Sequence, residues 1–165
     1  MNEPTQPLVG IVVGSASDVP TIRKGTAVLE ELGIPYELKI CSAHRTPARA
    51  HTYGTSAAQR GIKVIIAAAG MSAHLAGVMA ALTHLPVLGV PIDGKLAGGL
   101  DALLSTVNMP RGVPVGTMSM GSHGAVNAAL LAAAILGLSD NDTRTRLQAY
   151  RQNQSESIPE EPPEE

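Results

Sequence analysis

Tryptophan and phenylalanine are absent from the 165 residues and only three tyrosines occur, so any core must be filled by Ala, Val, Leu, Ile and Met. The aromatic platforms that hold single-stranded nucleic acid are thereby excluded. The single cysteine, Cys41, permits no intrachain disulfide and no thiolate cluster, and fits a reducing compartment. No HExxH, CxxC or carboxylate cluster occurs, and His51, His84 and His123 stand at no ligand spacing, so no catalytic metal is expected. The opening MNEPTQPLVG lacks a basic segment followed by an apolar stretch and a cleavage site, which argues against a secretory signal. The longest apolar run towards the C-terminus, Ala128 to Leu138, has 11 residues, well short of the roughly 20 a membrane helix needs. The expectation is a soluble, cytoplasmic protein without a membrane partner.

What is present points to one packed domain. Hydrophobic residues make up 44% and charged residues 16%, a mix suited to a globule rather than a disordered chain. Formal charge is −2, yet five carboxylates lie in the final SESIPEEPPEE, and residues 1–154 set twelve cations against nine carboxylates, a net +3. A weakly basic body suits a small anionic ligand, whereas a DNA duplex calls for a clustered Lys/Arg face, so no nucleic-acid partner is expected. The division read from composition is a flexible segment 1–7, an α/β domain over 8–154 and a disordered acidic tail over 155–165.

Apolar, β-branched runs alternate with helix-like stretches, the pattern of βαβ units and a parallel sheet covered on both faces. Strands are predicted at Val9 to Val13, Tyr36 to Cys41, Val64 to Ala69, Val87 to Val90 and Val115 to Met118. Asp18, with Pro20 behind it, reads as the cap of a helix reaching Leu32, and Thr46-Pro47 starts another that ends near Arg60. Further helices are predicted from Ala73 to Thr83, Gly99 to Val107, Ala125 to Leu136 and Asp140 to Gln152. Between Val64 and Ser139 only Asp93, Lys95, Asp101 and Arg111 are charged. Outer helices of a monomer normally carry a solvated face, so these Ala- and Gly-rich helices are expected to pack across subunits of a homo-oligomer.

In an open α/β sheet, ligands bind beyond the carboxyl ends of the strands, and three segments there carry chemistry. In GSASD, Gly14 frees the backbone and Ser15 and Ser17 offer hydroxyls ahead of a helix N-terminus; a plain strand turn capped by Asp18 is an equal reading. SAHRTP brings together Ser42, His44 and Arg45, a hydroxyl, an imidazole that exchanges protons near neutral pH and a guanidinium able to chelate phosphate. AAAGMSAHLAG supplies small residues around Gly70 for close approach of a flat ligand, with His74 at the head of the next helix as either a packed residue or a pocket residue. Cys41 reads as an inert core thiol at a strand end.

Together with LPVLGVPI, GLDALLSTVNMPRGVPVGT and NAALLAA, these segments resemble, from Leu8 to Arg151, the bacterial class I 5-(carboxyamino)imidazole ribonucleotide mutase family of purine biosynthesis. The resemblance implies a three-layer flavodoxin-like fold, a homo-octamer, a nucleotide substrate and carboxyl transfer to C4 of an aminoimidazole without cofactor or metal. It implies that Ser15, Ser17 and Asp18 bind substrate, Asp18 at the ribose hydroxyls, and that Ser42 and Arg45 hold the phosphate. His44 takes the place of the family's catalytic histidine, while Gly70, His74 and Leu75 would line the pocket around the imidazole. Two other readings stand beside it: the class II enzyme that carboxylates aminoimidazole ribonucleotide with CO2, and a noncatalytic nucleotide-binding module. Asp93, Lys95, His123 and the acidic tail depart from the family pattern.

Overall fold

The computed structural model describes residues 6–94 and 96–162; Lys95 and the ends of both terminal segments lie outside them. Strand β1 (Val9–Val13) is followed by a 3-10 turn at Ala16–Asp18 and helix α1 (Val19–Glu31). Next come β2 (Tyr36–Ile40), α2 (Pro47–Ser56), β3 (Val64–Ala69), α3 (Leu75–Leu82) and β4 (Val87–Pro91). The chain then forms α4 (Leu100–Val107), a short β5 (Gly116–Thr117), α5 (Gly121–Leu136) and α6 (Asn141–Glu156). The five strands are parallel in the order β2-β1-β3-β4-β5. Helices on both faces of a sheet in this order make a doubly wound, flavodoxin-like domain.

Alternation along β1 separates two cores. Val9, Ile11 and Val13 join α1, α5 and Leu147 of α6 on one face, and Val12 joins Tyr53 of α2 and Leu75 and Met79 of α3 on the other. Gly10 belongs to the second face, where the Tyr53 hydroxyl lies so close that a Cβ at residue 10 would overlap it. On the first face α1 crosses α5 at Gly25, where a Cβ would run into the Ala125 carbonyl. Absence of bulk on both helices lets the backbones approach, as small residues do at close helix crossings.

The alanines of α5 correct one expectation. Ala125, Ala128, Ala129, Ala132 and Ala133 are buried within the chain itself, against α1 and under α6, rather than kept for another subunit. Sequence alone could not assign them, because an apolar helix covered by its own chain and one covered by a neighbour have the same composition. Helix α4 is different: Leu100, Leu104 and Val107 lie exposed along it, with Leu96 just before.

Several boundaries also differ. Helix α3 starts at Leu75 rather than Ala73, because Met71 takes a left-handed φ of 56° and tight turns close from Ala73 N–H to Met71 O and from His74 N–H to Ser72 O. Helix α5 starts four residues before Ala125, its GSHG start having the look of a loop; Gly124 is required there because a side chain would collide with Ser119 O. Helix α2 stops at Ser56 and turns at Gly61, φ 89°. Gln6, in the segment read as flexible, donates from Nε2 to Arg60 O at 2.7 Å, while residues 1–5 lie outside the described part. In the acidic tail, residues 155 and 156 continue α6 and residues 163–165 lie outside the described part.

Candidate active site

The sheet order reverses between β1 and β3: β2 flanks β1 on one side and β3 on the other. A crevice at such a switch point is where doubly wound folds take their ligands. Register sets the three loaded segments side by side. Val13 pairs with Ile40 and with Ala68, so Gly14–Asp18, Ser42–Thr46 and Gly70–His74 leave the sheet at one level.

In the first segment Ser15 caps the 3-10 turn, its Oγ accepting from Ser17 N at 3.4 Å and from Ser17 Oγ at 3.0 Å. Asp18 precedes α1 but makes no side-chain capping bond, which corrects its reading as a helix cap. Its φ of −86° and ψ of −16° are already helical, whereas a capping side chain needs extended backbone. The carboxylate accepts instead from the Ser17 hydroxyl at 3.2 Å. Asp18 is buried, and burial raises its pKa above the ordinary 3.8, opposed by the bonds from Ser17 and Ser15 and the charge of Arg45.

The second segment is held rigid by its own hydroxyls. Thr46 Oγ1 accepts from Ser42 N at 2.9 Å and donates to Ser42 O at 3.0 Å, locking the loop that starts α2. Ser42 Oγ accepts from Arg45 N at 3.2 Å and faces Arg45 Nε at 3.4 Å. Arg45 also donates from a terminal nitrogen to Gly14 O at 2.9 Å, which ties this loop to the first. A guanidinium carries five N–H donors, so two fixed bonds orient it without exhausting it.

His44 projects from this loop to the third segment. Its Nε2 lies 2.9 Å from His74 Nδ1, and the two rings meet edge to face with centroids 4.9 Å apart. His74 stands immediately before α3, at a capping position where its carbonyl accepts from Val78 N at 3.0 Å. Gly70 leaves β3 against Ile92. Leu75 has its side chain buried in the core and can offer the site only its main chain; the first N–H groups of a helix have no acceptor within it.

Sequence reasoning did not single out Thr46 as the lock of the Ser42 loop, Gly14 O as the anchor of Arg45 or Met71 as the left-handed residue of the third loop. A Thr-Pro helix start signals the first; the other two depend on contacts far apart in sequence. Cys41 is 1% exposed, and burial raises its thiol pKa, as an inert core position requires. His44, Arg45, Met71, Ser72 and His74 are exposed, so the site is open to solvent on one side of a single chain. An 820 Å³ groove lies elsewhere, between the β2 edge and α2. Among the described residues no group of three or more His, Cys, Asp or Glu could hold a metal ion, and no helix is long and apolar enough to cross a membrane.

Known proteins resemble this chain in sequence and in fold. The N5-carboxyaminoimidazole ribonucleotide mutase of Bacillus subtilis is 53% identical over 153 residues, covering 93% of this chain and 94% of the relative. The enzyme of the same name from Pseudomonas aeruginosa is 51% identical over 155 residues, covering 94% and 95%. The crystal structure of Treponema denticola PurE superposes with a TM-score of 0.84 at 29% identity, covering 92% of this chain and 94% of that one. The family model for AIR carboxylase matches residues 8–157. With the sheet order, the three converging loops and these likenesses in agreement, the chain belongs to the AIR carboxylase family.

Proposed function

We propose that this chain is an N5-carboxyaminoimidazole ribonucleotide mutase, moving a carboxylate from the exocyclic amine of the substrate to ring carbon C4. The observation that carries the reading is the His44–His74 contact beside the serine and arginine cradle at the β1–β3 switch point, in a chain about half identical to enzymes of that name. Ser42 and Arg45 would take the phosphate, Ser15, Ser17 and Asp18 the ribose end, and Gly70, His74 and the main chain of Leu75 the imidazole. A buried carboxylate whose hydrogen bonds come from a neighbouring hydroxyl rather than a helix end is free to accept from ribose hydroxyls.

The chemistry asks little beyond placement and one proton carrier. The aminoimidazole is an enamine with a nucleophilic C4, so no cofactor need activate the carbon. A proton passes from the His44 imidazolium to the carbamate nitrogen; the N–C bond breaks and its electron pair remains on nitrogen, leaving CO2 and the amine. C4 attacks the CO2 carbon, and for a moment C4 bears both its hydrogen and the new carboxylate. His44 then removes that hydrogen as a proton, the C–H pair restores aromaticity, and the imidazolium is regenerated. A positioned acid/base contributes about 10²- to 10⁴-fold. Recapture must outrun escape of CO2, which requires a closed pocket.

A single chain leaves that pocket open, and α4 leaves an apolar stripe uncovered; both support a homo-oligomer, for which the resemblance implies an octamer. As an enzyme of nucleotide synthesis it would act in the cytoplasm. The test is a steady-state assay without ATP, supplied either with the carbamate substrate or with aminoimidazole ribonucleotide and bicarbonate. Turnover of the first, with His44→Asn still binding but at least about 10²-fold slower, is the expected outcome. Near-full activity in His44→Asn would overturn the mechanism, and efficient use of only the second substrate would make the chain a direct carboxylase.

A further inference from the structure

Methionine serves this chain mainly as core material: Met79 is buried and Met109, Met118 and Met120 are partly buried, as thioethers filling gaps in a core without phenylalanine should be. Met71 is not, being 74% exposed. It also carries a φ of 56°, in the left-handed region where a Cβ is crowded by the neighbouring carbonyl and glycine is favoured. Apart from Ala97, the other left-handed positions among the described residues are glycines. Neither packing nor backbone geometry calls for methionine at residue 71.

The reaction does. Met71 follows Gly70 and its carbonyl accepts from Ala73 N at 2.9 Å, so the main chain of the third loop fixes where it stands, three residues ahead of the histidine that meets His44. The converging segments Gly14–Asp18, Ser42–Thr46 and Gly70–His74 otherwise hold only glycine, alanine and polar or charged residues. Met71 is their one large apolar side chain. Between cleavage of the carbamate and attack by C4 the migrating group is CO2, which has no net charge for Arg45 and no hydrogen to give the serines or Asp18. An apolar surface that excludes water is what can contain it. An unbranched thioether with three rotatable bonds adapts its shape, so it can stay against the ring while the carboxylate sits on nitrogen, departs and arrives on C4.

We propose that Met71 is the residue that retains CO2: its side chain covers the aminoimidazole of the bound substrate and keeps CO2 from water until C4 has bonded to it, at the expense of a backbone conformation that glycine adopts more easily. The proposal rests on the mutase reading and deepens it by naming what contains the released molecule. A direct carboxylase, which draws its CO2 from solution, has no use for such a cover.

The experiment gives the full-length enzyme freshly prepared carbamate substrate labelled with ¹³C in its carboxylate, in buffer containing unlabelled bicarbonate. Mass spectrometry reads the label in the C4-carboxylated product, and the amount of decarboxylated amine is measured beside it, with enzyme-free samples correcting for spontaneous loss. The natural enzyme should keep nearly all of the label and release little amine. Met71→Gly should send a share of substrate to the amine that is roughly 10-fold larger, the order of effect of lost apolar contact in a closed site. Met71→Leu, which restores an apolar cover, should return most of that share to product. Because left-handed backbone suits glycine, Met71→Gly should unfold at no lower denaturant concentration than the natural enzyme, which separates lost retention from a folding defect. An amine share in Met71→Gly within about 2-fold of the natural one overturns the proposal. So does a raised KM with the share unchanged, which would make Met71 a binding contact only, or an altered mass in light scattering, which would make it a subunit contact. Unlabelled product from the natural enzyme removes the mutase reading itself, whereas full retention of label in both enzymes removes the role of Met71 alone.

Discussion

At the residue scale, Asp18 holds the clearest conflict between stability and chemistry. A carboxylate at the head of a helix would lower the free energy of the fold by capping it; this one is buried, uncapped and supported mainly by a single serine hydroxyl. Its pKa is raised in the folded state, so the native protein binds its proton more tightly than the unfolded chain does. Stability therefore falls as pH rises from the ordinary value of 3.8 through the folded one, and the penalty is fully present above that. Asp18→Asn is expected to be more stable than the natural protein at pH 7, with the difference shrinking as pH is lowered through the raised folded pKa towards 3.8, while substrate affinity is lost. Denaturant midpoints measured across pH check the first part and substrate titration the second; an equal stability gap at pH 3 and pH 7 would rule out the protonation argument. Stability traded for a site in this way is common where a polar group is held ready for a ligand.

At the element scale, the crossing of α1 on α5 depends on Gly25, where the nearest atoms to an added Cβ are the Ala125 carbonyl group. Alanine is about 1 kcal/mol better than glycine inside a helix, yet Gly25→Ala is expected to destabilise by about 1–3 kcal/mol because backbone, unlike a side chain, cannot move aside. Equilibrium unfolding measures this, and a stabilised variant would mean that the helices can separate at no cost. Elements such as β1 and β3 were fully readable in the sequence, since strands buried on two faces are near-continuous apolar runs, each here followed by a glycine. The starts of α3 and α5 were not. Met71 has no compositional mark of its left-handed backbone, and Gly121 and Gly124 look like loop residues until Ser119 is seen to cross them. The site divides in the same way. His44, Arg45 and Ser42 announced themselves as three candidate side chains in one short segment, but that Arg45 would fasten to Gly14, and His44 to His74, required contacts across 31 and 30 residues.

At the scale of the whole molecule, the uncharged middle of the chain separates into two cases. Helix α5 is apolar because its own chain covers it, whereas α4 presents Leu100, Leu104 and Val107 to solvent at helical spacing. A stripe of this kind marks an interaction surface, and a second copy is the occupant in keeping with the proposed oligomer. Leu100→Glu with Leu104→Glu is expected to reduce the assembly to smaller species and, through loss of the closed pocket, lower kcat; light scattering and the mutase assay measure the two. An assembly of unchanged mass would remove α4 from the interface. Composition and spacing by themselves determined the class of fold and the positions of the buried strands, and marked three segments as candidates for chemistry, because burial on two faces and polar residues at strand ends are written locally in residue type. Only the tertiary structure decided which apolar helix is covered by its own chain, that Asp18 is not a cap and that the two histidines share a hydrogen bond. Those outcomes depend on which distant segments meet, and the meeting is set by strand order and register rather than by any stretch of sequence alone.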